Sequence, residues 1–200
     1  MSNRCLMVMA HPDDEIIFGW PIFQDKSIEK ELILCSSDAN NPERAWCAHR
    51  KNVTQRICDN LEIPLTVLDY PSEFYRYETR NESMSKVQDH IVDTIQSKTY
   101  DYIFTHNPYG EYGHIDHKMV FDIVTMRTDK PVWITDICMK SNWPSLDYPS
   151  DKVQKIYYNN KVREYKLDED LYSYCEKEYR DFQVWTWNKP PIDKCSIYEI

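Results

Sequence analysis

Two short stretches carry the residue types from which a metal-dependent hydrolytic centre is built. They are Ala10-His11-Pro12-Asp13-Asp14-Glu15 and Tyr112-Gly113-His114-Ile115-Asp116-His117. Catalytic zinc is held by about three nitrogen or oxygen ligands and keeps one position open for water. His11 and Asp14 lie three apart, which lets both meet one ion in a turn entering a helix, and His117 closes the triangle from a neighbouring loop. Asp13 then stands beside the open position, where a carboxylate takes a proton from a water whose pKa the ion lowers to about 7. Singly, His-x-x-Asp is often a capping or ion-pairing accident, and His-x-x-His is a weak metal signal. Together the two stretches hold three of the six histidines, which makes a shared site the stronger reading. A two-histidine, one-carboxylate set suits Zn2+ and also other divalent ions such as Fe2+.

The elements that must position these residues are legible from apolar patterning. Residues 5–10 form a continuous apolar run, as in a strand buried on both faces. A helix follows from about Glu15, and residues 31–35 make a second strand. Asn41 as cap and Pro42 at the first helical position open a helix reaching about Asn60. Residues 64–68 give a third strand, and 84–96 a helix with Val87, Ile91 and Ile95 on one face. Residues 102–105 are a fourth strand, a helix begins near Asp116 or His117, and 131–137 supply a fifth strand. This alternation predicts an α/β, Rossmann-like three-layer fold with a mostly parallel central sheet. Ligands of such folds bind outside the carboxyl ends of the strands, and the two stretches follow strands one and four.

The last sixty residues break the rhythm. They are rich in Tyr and Trp, are interrupted by Pro144, Pro149, Pro190 and Pro191, and suggest one helix over 168–181. The chain is therefore read as one domain over 1–200, with a motif-bearing part at about 4–137 and an aromatic-rich C-terminal extension at about 138–200.

Composition narrows the partners. With 33 acidic against 24 basic side chains the net charge is -9, which disfavours nucleic acid and anionic membrane surfaces. No apolar run approaches the roughly 18 residues of a membrane span, and three glycines leave no material for a phosphate-cradling loop. The seven cysteines are odd in number and contain no Cys-x-x-Cys pair, the usage of reduced, buried thiols in a cytoplasmic protein. The run at 5–10 is too short for a secretory signal. A small-molecule or glycoconjugate substrate is the expected partner, and nothing in the sequence sets an oligomeric state.

Residues 10–15 match the signature of the PIG-L/LmbE-like zinc deacetylases. Residues 112–117 resemble that family's second motif, Tyr-Gly-His-Pro-Asp-His, with Ile115 in place of proline. The resemblance covers about residues 4–126. It implies removal of acetyl groups from N-acetylglucosamine units of glycoconjugates, with His11, Asp14 and His117 binding zinc and Asp13 as general base. It further implies that a protonated His114, held by Asp116, faces the oxyanion or the leaving amine. Tyr112 would polarise the carbonyl, and Arg50 would contact substrate. A carboxylate behind His114 would raise its pKa above the free value near 6.5. The chain departs from relatives at 16–20, which lacks their small glycines, at 36–40, and at Val53, where a glutamate is usual. Those changes leave the metal chemistry in place and alter the acceptor pocket. The alternative within enzymes is an amidase or deacylase acting on a non-sugar N-acyl compound. A non-catalytic metal- or sugar-binding module has no need of Asp13, and phosphoryl transfer lacks its basic residues.

Other residues read as structural. His106, ending strand four, suits a hydrogen-bonded core role, while His49 and His90 suit helix surfaces. Trp143, Trp185, Trp187, Tyr172, Tyr174 and Tyr179 are mainly core and lid packing, with at least one bordering the pocket. Residues 168–170 suit a solvated helix start.

Overall fold

The computed structural model describes residues 3–37, 39, 44–72, 80–139, 151–189 and 191–200, with main chain only at 80–84. The expected helix start at Asn41 and Pro42 lies outside the described residues, as do Asp38, Asn40, Trp143, Pro144, Pro149 and Pro190.

In chain order the elements are β1 (Asn3–Met9), α1 (Asp14–Ile17), α2 (Trp20–Gln24), β2 (Ile28–Ser36), α3 (Ala45–Asn60), β3 (Leu65–Tyr70), α4 (Arg80–Ser97) and β4 (Tyr102–Thr105). There follow α5 (Gly110–Gly113), α6 (Ile115–Arg127), β5 (Val132–Thr135), α7 (Lys152–Ile156), a 3-10 turn (Tyr158–Asn160), β6 (Lys161–Lys166), α8 (Glu169–Asp181) and β7 (Lys194–Glu199). The strands form one sheet in the order β3-β2-β1-β4-β5-β7-β6. The first five are parallel, and β7 pairs antiparallel with both β5 and β6.

The apolar run of β1 explains why the sheet is covered on both sides. Cys5, Met7 and Met9 enter one core with Val53 and Ile57 of α3 and Tyr172, Cys175 and Tyr179 of α8. Leu6, Val8 and the following Ala10 enter the other with Val87, Ile91 and Ile95 of α4 and Val120 and Val124 of α6. Each fully buried Leu or Val contributes about 1.5–3 kcal/mol relative to exposure, so β1, buried from Cys5 onward, is a firmly anchored platform for the motif at its carboxyl end. All seven cysteines are buried free thiols. No helix among the described residues is long and apolar enough to cross a membrane.

Two local features differ from the sequence expectation. The helix after the first motif is two short pieces, broken at Gly19, where an added Cβ would lie 3.0 Å from the Glu15 carbonyl oxygen, and restarted at Trp20-Pro21. The last forty residues supply two further strands besides the expected helix α8. Edge strand β6 is exposed at every residue except Tyr165, and its charges protect the sheet edge from pairing with other chains.

The strand order reverses between β1 and β4: the chain leaves β1 for β2 on one side, while β4 lies on the other. That switch point opens a crevice at the carboxyl ends of the two strands, and both motifs meet there.

Candidate active site

The turn after β1 is built by its own side chains. The His11 N–H donates to Asp14 Oδ2 at 2.8 Å and the Asp13 N–H donates to Glu15 Oε2 at 2.9 Å. Asp13 takes a positive φ of 89°, a conformation that costs of order 1–3 kcal/mol in a non-glycine residue and clusters at functional sites. Glu111, at a kink within α5, also has positive φ, 53°. Both strained residues are buried carboxylates, Asp13 lining the crevice and Glu111 lying behind His106 and His117.

Four nitrogens converge on Asp14 Oδ2. Besides the His11 amide, His11 Nδ1 lies 3.3 Å away, His117 Nε2 3.4 Å and His106 Nε2 3.4 Å. The three rings are not equivalent. His11 donates from Nε2 to Asp116 Oδ2 at 2.9 Å, and His117 donates from Nδ1 to Glu111 Oε2 at 2.6 Å. Each ring thus has a carboxylate behind it and turns its other nitrogen toward Asp14, the arrangement that fixes tautomer and orientation in metal-binding histidines. His117 Nε2 is buried with no hydrogen-bond partner among the described residues, an atom left bare in the protein and suited to a cation. Nitrogen and carboxylate donors of this kind fit a divalent transition ion, and two overlapping groups, His11–His114–His117 and Asp14–His106–His117, are close enough for one.

His106 belongs to the scaffold. Its Nε2 accepts the Ala10 N–H at 2.9 Å and its Nδ1 faces Glu111 Oε2 at 3.1 Å, so both nitrogens are occupied. A backbone N–H aimed at Nε2 requires a lone pair there. We therefore assign His106 as neutral, although the neighbouring carboxylates favour its cation and push it toward about 9. His49 and His90 are exposed, away from the crevice.

His114 departs from the expectation. It is the N-cap of α6, and its Nδ1 accepts the Asp116 backbone N–H at 3.2 Å. The Asp116 carboxylate turns to His11 instead, because residues two apart at a helix start do not face each other. Burial, together with His117 and His11 nearby, holds the His114 pKa below the ordinary imidazole value. With Nδ1 accepting a backbone N–H, the His114 ring has no Asp116 carboxylate behind it, unlike the pairing that the sequence suggests.

His11, Asp14 and His114 line a cavity of about 220 Å3 together with Asp13, Phe18, Trp46, Arg50, Tyr112 and Trp187. Tyr112 packs against Phe18 in a tilted pair at 5.8 Å and edge-on against His114 at 5.6 Å, and Trp187 is a tail aromatic that borders the pocket. Asp13 Oδ1 lies 3.6 Å from Arg50 Nη2, and Oδ2 accepts the Thr186 hydroxyl at 2.7 Å. Burial outweighs both, so the Asp13 carboxyl is pushed up to about 6. In metal-free protein, Asp13 is expected to titrate near 6 by carboxyl-carbon NMR. A divalent ion favours the carboxylate, so its binding should lower that value and place the acid limb of kcat/KM below 6. A titration near 4 in the metal-free protein would contradict the burial argument.

Glu111, Thr186 and Tyr179 lie outside both motifs, and Glu15 ends the first of them without a role assigned by the sequence. Glu111 holds His106, His117 and, through Oε1, the Asn107 N–H at 3.1 Å; the histidine pair keeps it ionised against burial, near about 2. Glu111→Gln should weaken divalent-ion affinity by about 10–100-fold with little change in melting temperature, measured by competition with a chelating dye. Unchanged affinity would remove Glu111 from the site's support. A larger cavity, about 600 Å3, opens at the amino ends of β1 and β2. Its most buried amine, Lys30, is engaged by the carbonyls of Phe23 and Asp25, and the cavity lacks the convergent ligands found at the crevice.

Comparison with known proteins bears on both fold and family. Uncharacterized protein L374 of Acanthamoeba polyphaga mimivirus is 26% identical over 129 residues, 58% of this chain and 53% of that protein. The chain thus spans about half the length of that curated relative. The A40926 pseudoaglycone deacetylase Dbv21 superposes with a TM-score of 0.64 at 12% identity, covering 100% of this chain and 97% of that one. The 4-carboxy-2-hydroxymuconate hydratase GalB of Pseudomonas putida gives 0.53 at 12% identity, covering 99% and 96%. Likenesses at this identity show the fold, which carries a hydratase as well as a deacetylase. Residues 6–127 match the family described as PIG-L: GlcNAc-PI de-N-acetylase. With more than half its length matched and both motifs at the switch point of the sheet, the chain belongs to the PIG-L family.

Proposed function

We propose that the protein is a metal-dependent hydrolase that removes the acetyl group from an N-acetylated amino-sugar conjugate. The observation that carries this is the convergence of two carboxylate-backed histidines on Asp14, directly beside the buried carboxylate of Asp13. The family's description supports the amino-sugar substrate.

His11 through Nδ1, Asp14, and His117 through Nε2 would hold the ion, Zn2+ or another divalent metal such as Fe2+. Bound there, it supplies Lewis-acid polarisation and makes water a competent nucleophile near neutral pH. The chain's residues do the rest. Asp13 takes a proton from the attacking water as its oxygen bonds to the carbonyl carbon. Neutral His114 donates from Nε2 to the oxygen on which negative charge develops, a stabilisation worth most in a water-poor site. The Asp13 carboxylic acid then passes its proton to the amide nitrogen as the C–N bond breaks, releasing acetate and a free amine. Tyr112 walls the carbonyl side, and Arg50 contacts the acceptor while tethering Asp13.

The test is to offer metal-loaded protein N-acetylglucosamine conjugates, N-acyl amino compounds and an unsaturated hydroxy acid. One acetate and one primary amine per turnover from the sugar conjugates is the expected result. Turnover confined to the non-sugar amides would establish the amidase alternative. Hydration of the unsaturated acid alone would overturn the hydrolase reading.

A further inference from the structure

We propose that Thr186 is a positioning residue for Asp13, and that the segment from the end of α8 through Trp187 completes the active site. The segment lies outside the residues matched to the family, yet it reaches Asp13 twice. The Thr186 hydroxyl donates to Asp13 Oδ2 at 2.7 Å. From α8, the Tyr179 hydroxyl donates to Glu15 Oε1 at 2.5 Å, and Glu15 Oε2 accepts the Asp13 N–H at 2.9 Å. One contact fixes the carboxylate, and the other fixes the strained backbone that presents it.

The segment is itself well anchored. The Val184 N–H donates to the Tyr179 carbonyl at 3.0 Å, and Val184 is buried. Trp187 packs at 5.4 Å from Phe18 and 5.8 Å from Tyr112. Thr186 is thereby held at the cavity mouth, although its own surface is exposed. The terminal torsion of an aspartate is broad, so without a partner the carboxylate would sample a wide arc. With Oδ2 tied to Thr186 and Oδ1 beside Arg50, the remaining lone pairs are oriented for a water in the cavity. Small misplacements of a reacting group cost up to about 100-fold in rate.

This inference rests on Asp13 being the base, and the experiment separates the two. Thr186→Val keeps the volume and removes the hydroxyl; Thr186→Ser keeps the hydroxyl. Against an N-acetylglucosamine conjugate, Thr186→Val should lose roughly 10–100-fold in kcat, with KM, bound metal and the dissociation constant of the product amine unchanged. Thr186→Ser should recover most of the loss. On the residual rate of Asp13→Asn, adding Thr186→Val should cost nothing further, because the group it positions no longer takes a proton. If Asp13→Asn turns over normally, Asp13 is not the base and the proposed mechanism fails. If Asp13→Asn is slow but Thr186→Val is as fast as wild type, the positioning role alone falls. Loss of metal in Thr186→Val, or failure of serine to restore kcat, would make the contact a packing one and overturn the inference.

Discussion

His117→Ala is expected to lose its ion and, with it, activity down to the level of metal-stripped protein. The variant removes the nitrogen left bare beside Asp14, so the fall in metal affinity should exceed the roughly 10–100-fold expected of a supporting carboxylate. The fold should survive, because Glu111 keeps His106 and the Asn107 N–H as partners. Elemental analysis with a melting curve checks both halves. His106 offers the informative contrast: its nitrogens are spent on Ala10 and Glu111, so its substitution should act through stability more than through metal content. A His117→Ala protein that binds metal as tightly as wild type would show that another ring, His106 at 3.9 Å or His114 at 4.5 Å from it, is the ligand.

Asp13→Asn should behave in the opposite way, keeping its metal while losing about 10²–10⁴-fold in kcat. Asparagine is the cleaner choice over alanine, because it tolerates positive φ and still offers Thr186 an acceptor. KM should change little, since the carboxylate acts on the water and not on the ground-state substrate. Near-normal turnover at full metal content would eliminate Asp13 as the base.

The site is legible in the sequence wherever chemistry and local pattern coincide. The continuous apolar run of β1 and the strand at 102–105 place both motifs at strand ends, and the reversal of strand order between them supplies the crevice. The features that stay hidden depend on long-range geometry or on backbone strain. Asp116 pairs with His11 across 105 residues, whereas adjacency in sequence points to His114. Glu111 meets His117 from a kink at which its own φ is positive, a conformation that its residue type does not announce. Thr186 is 173 residues from Asp13, within a stretch whose tryptophans draw the eye first. Strands β6 and β7 escape notice because β6 is charged and exposed over most of its length, so no apolar alternation marks it.

In the proposed function, one divalent ion held between His11, Asp14 and His117 makes this crevice hydrolytic. Acetate release from an N-acetylglucosamine conjugate should therefore be followed while metal-free protein is titrated with Zn2+ in a metal-buffered assay. The expected result is negligible release without metal, a linear rise with added ion, and a break at about one ion per chain. Full acetate release by rigorously metal-free protein, or none at saturating metal, would contradict it.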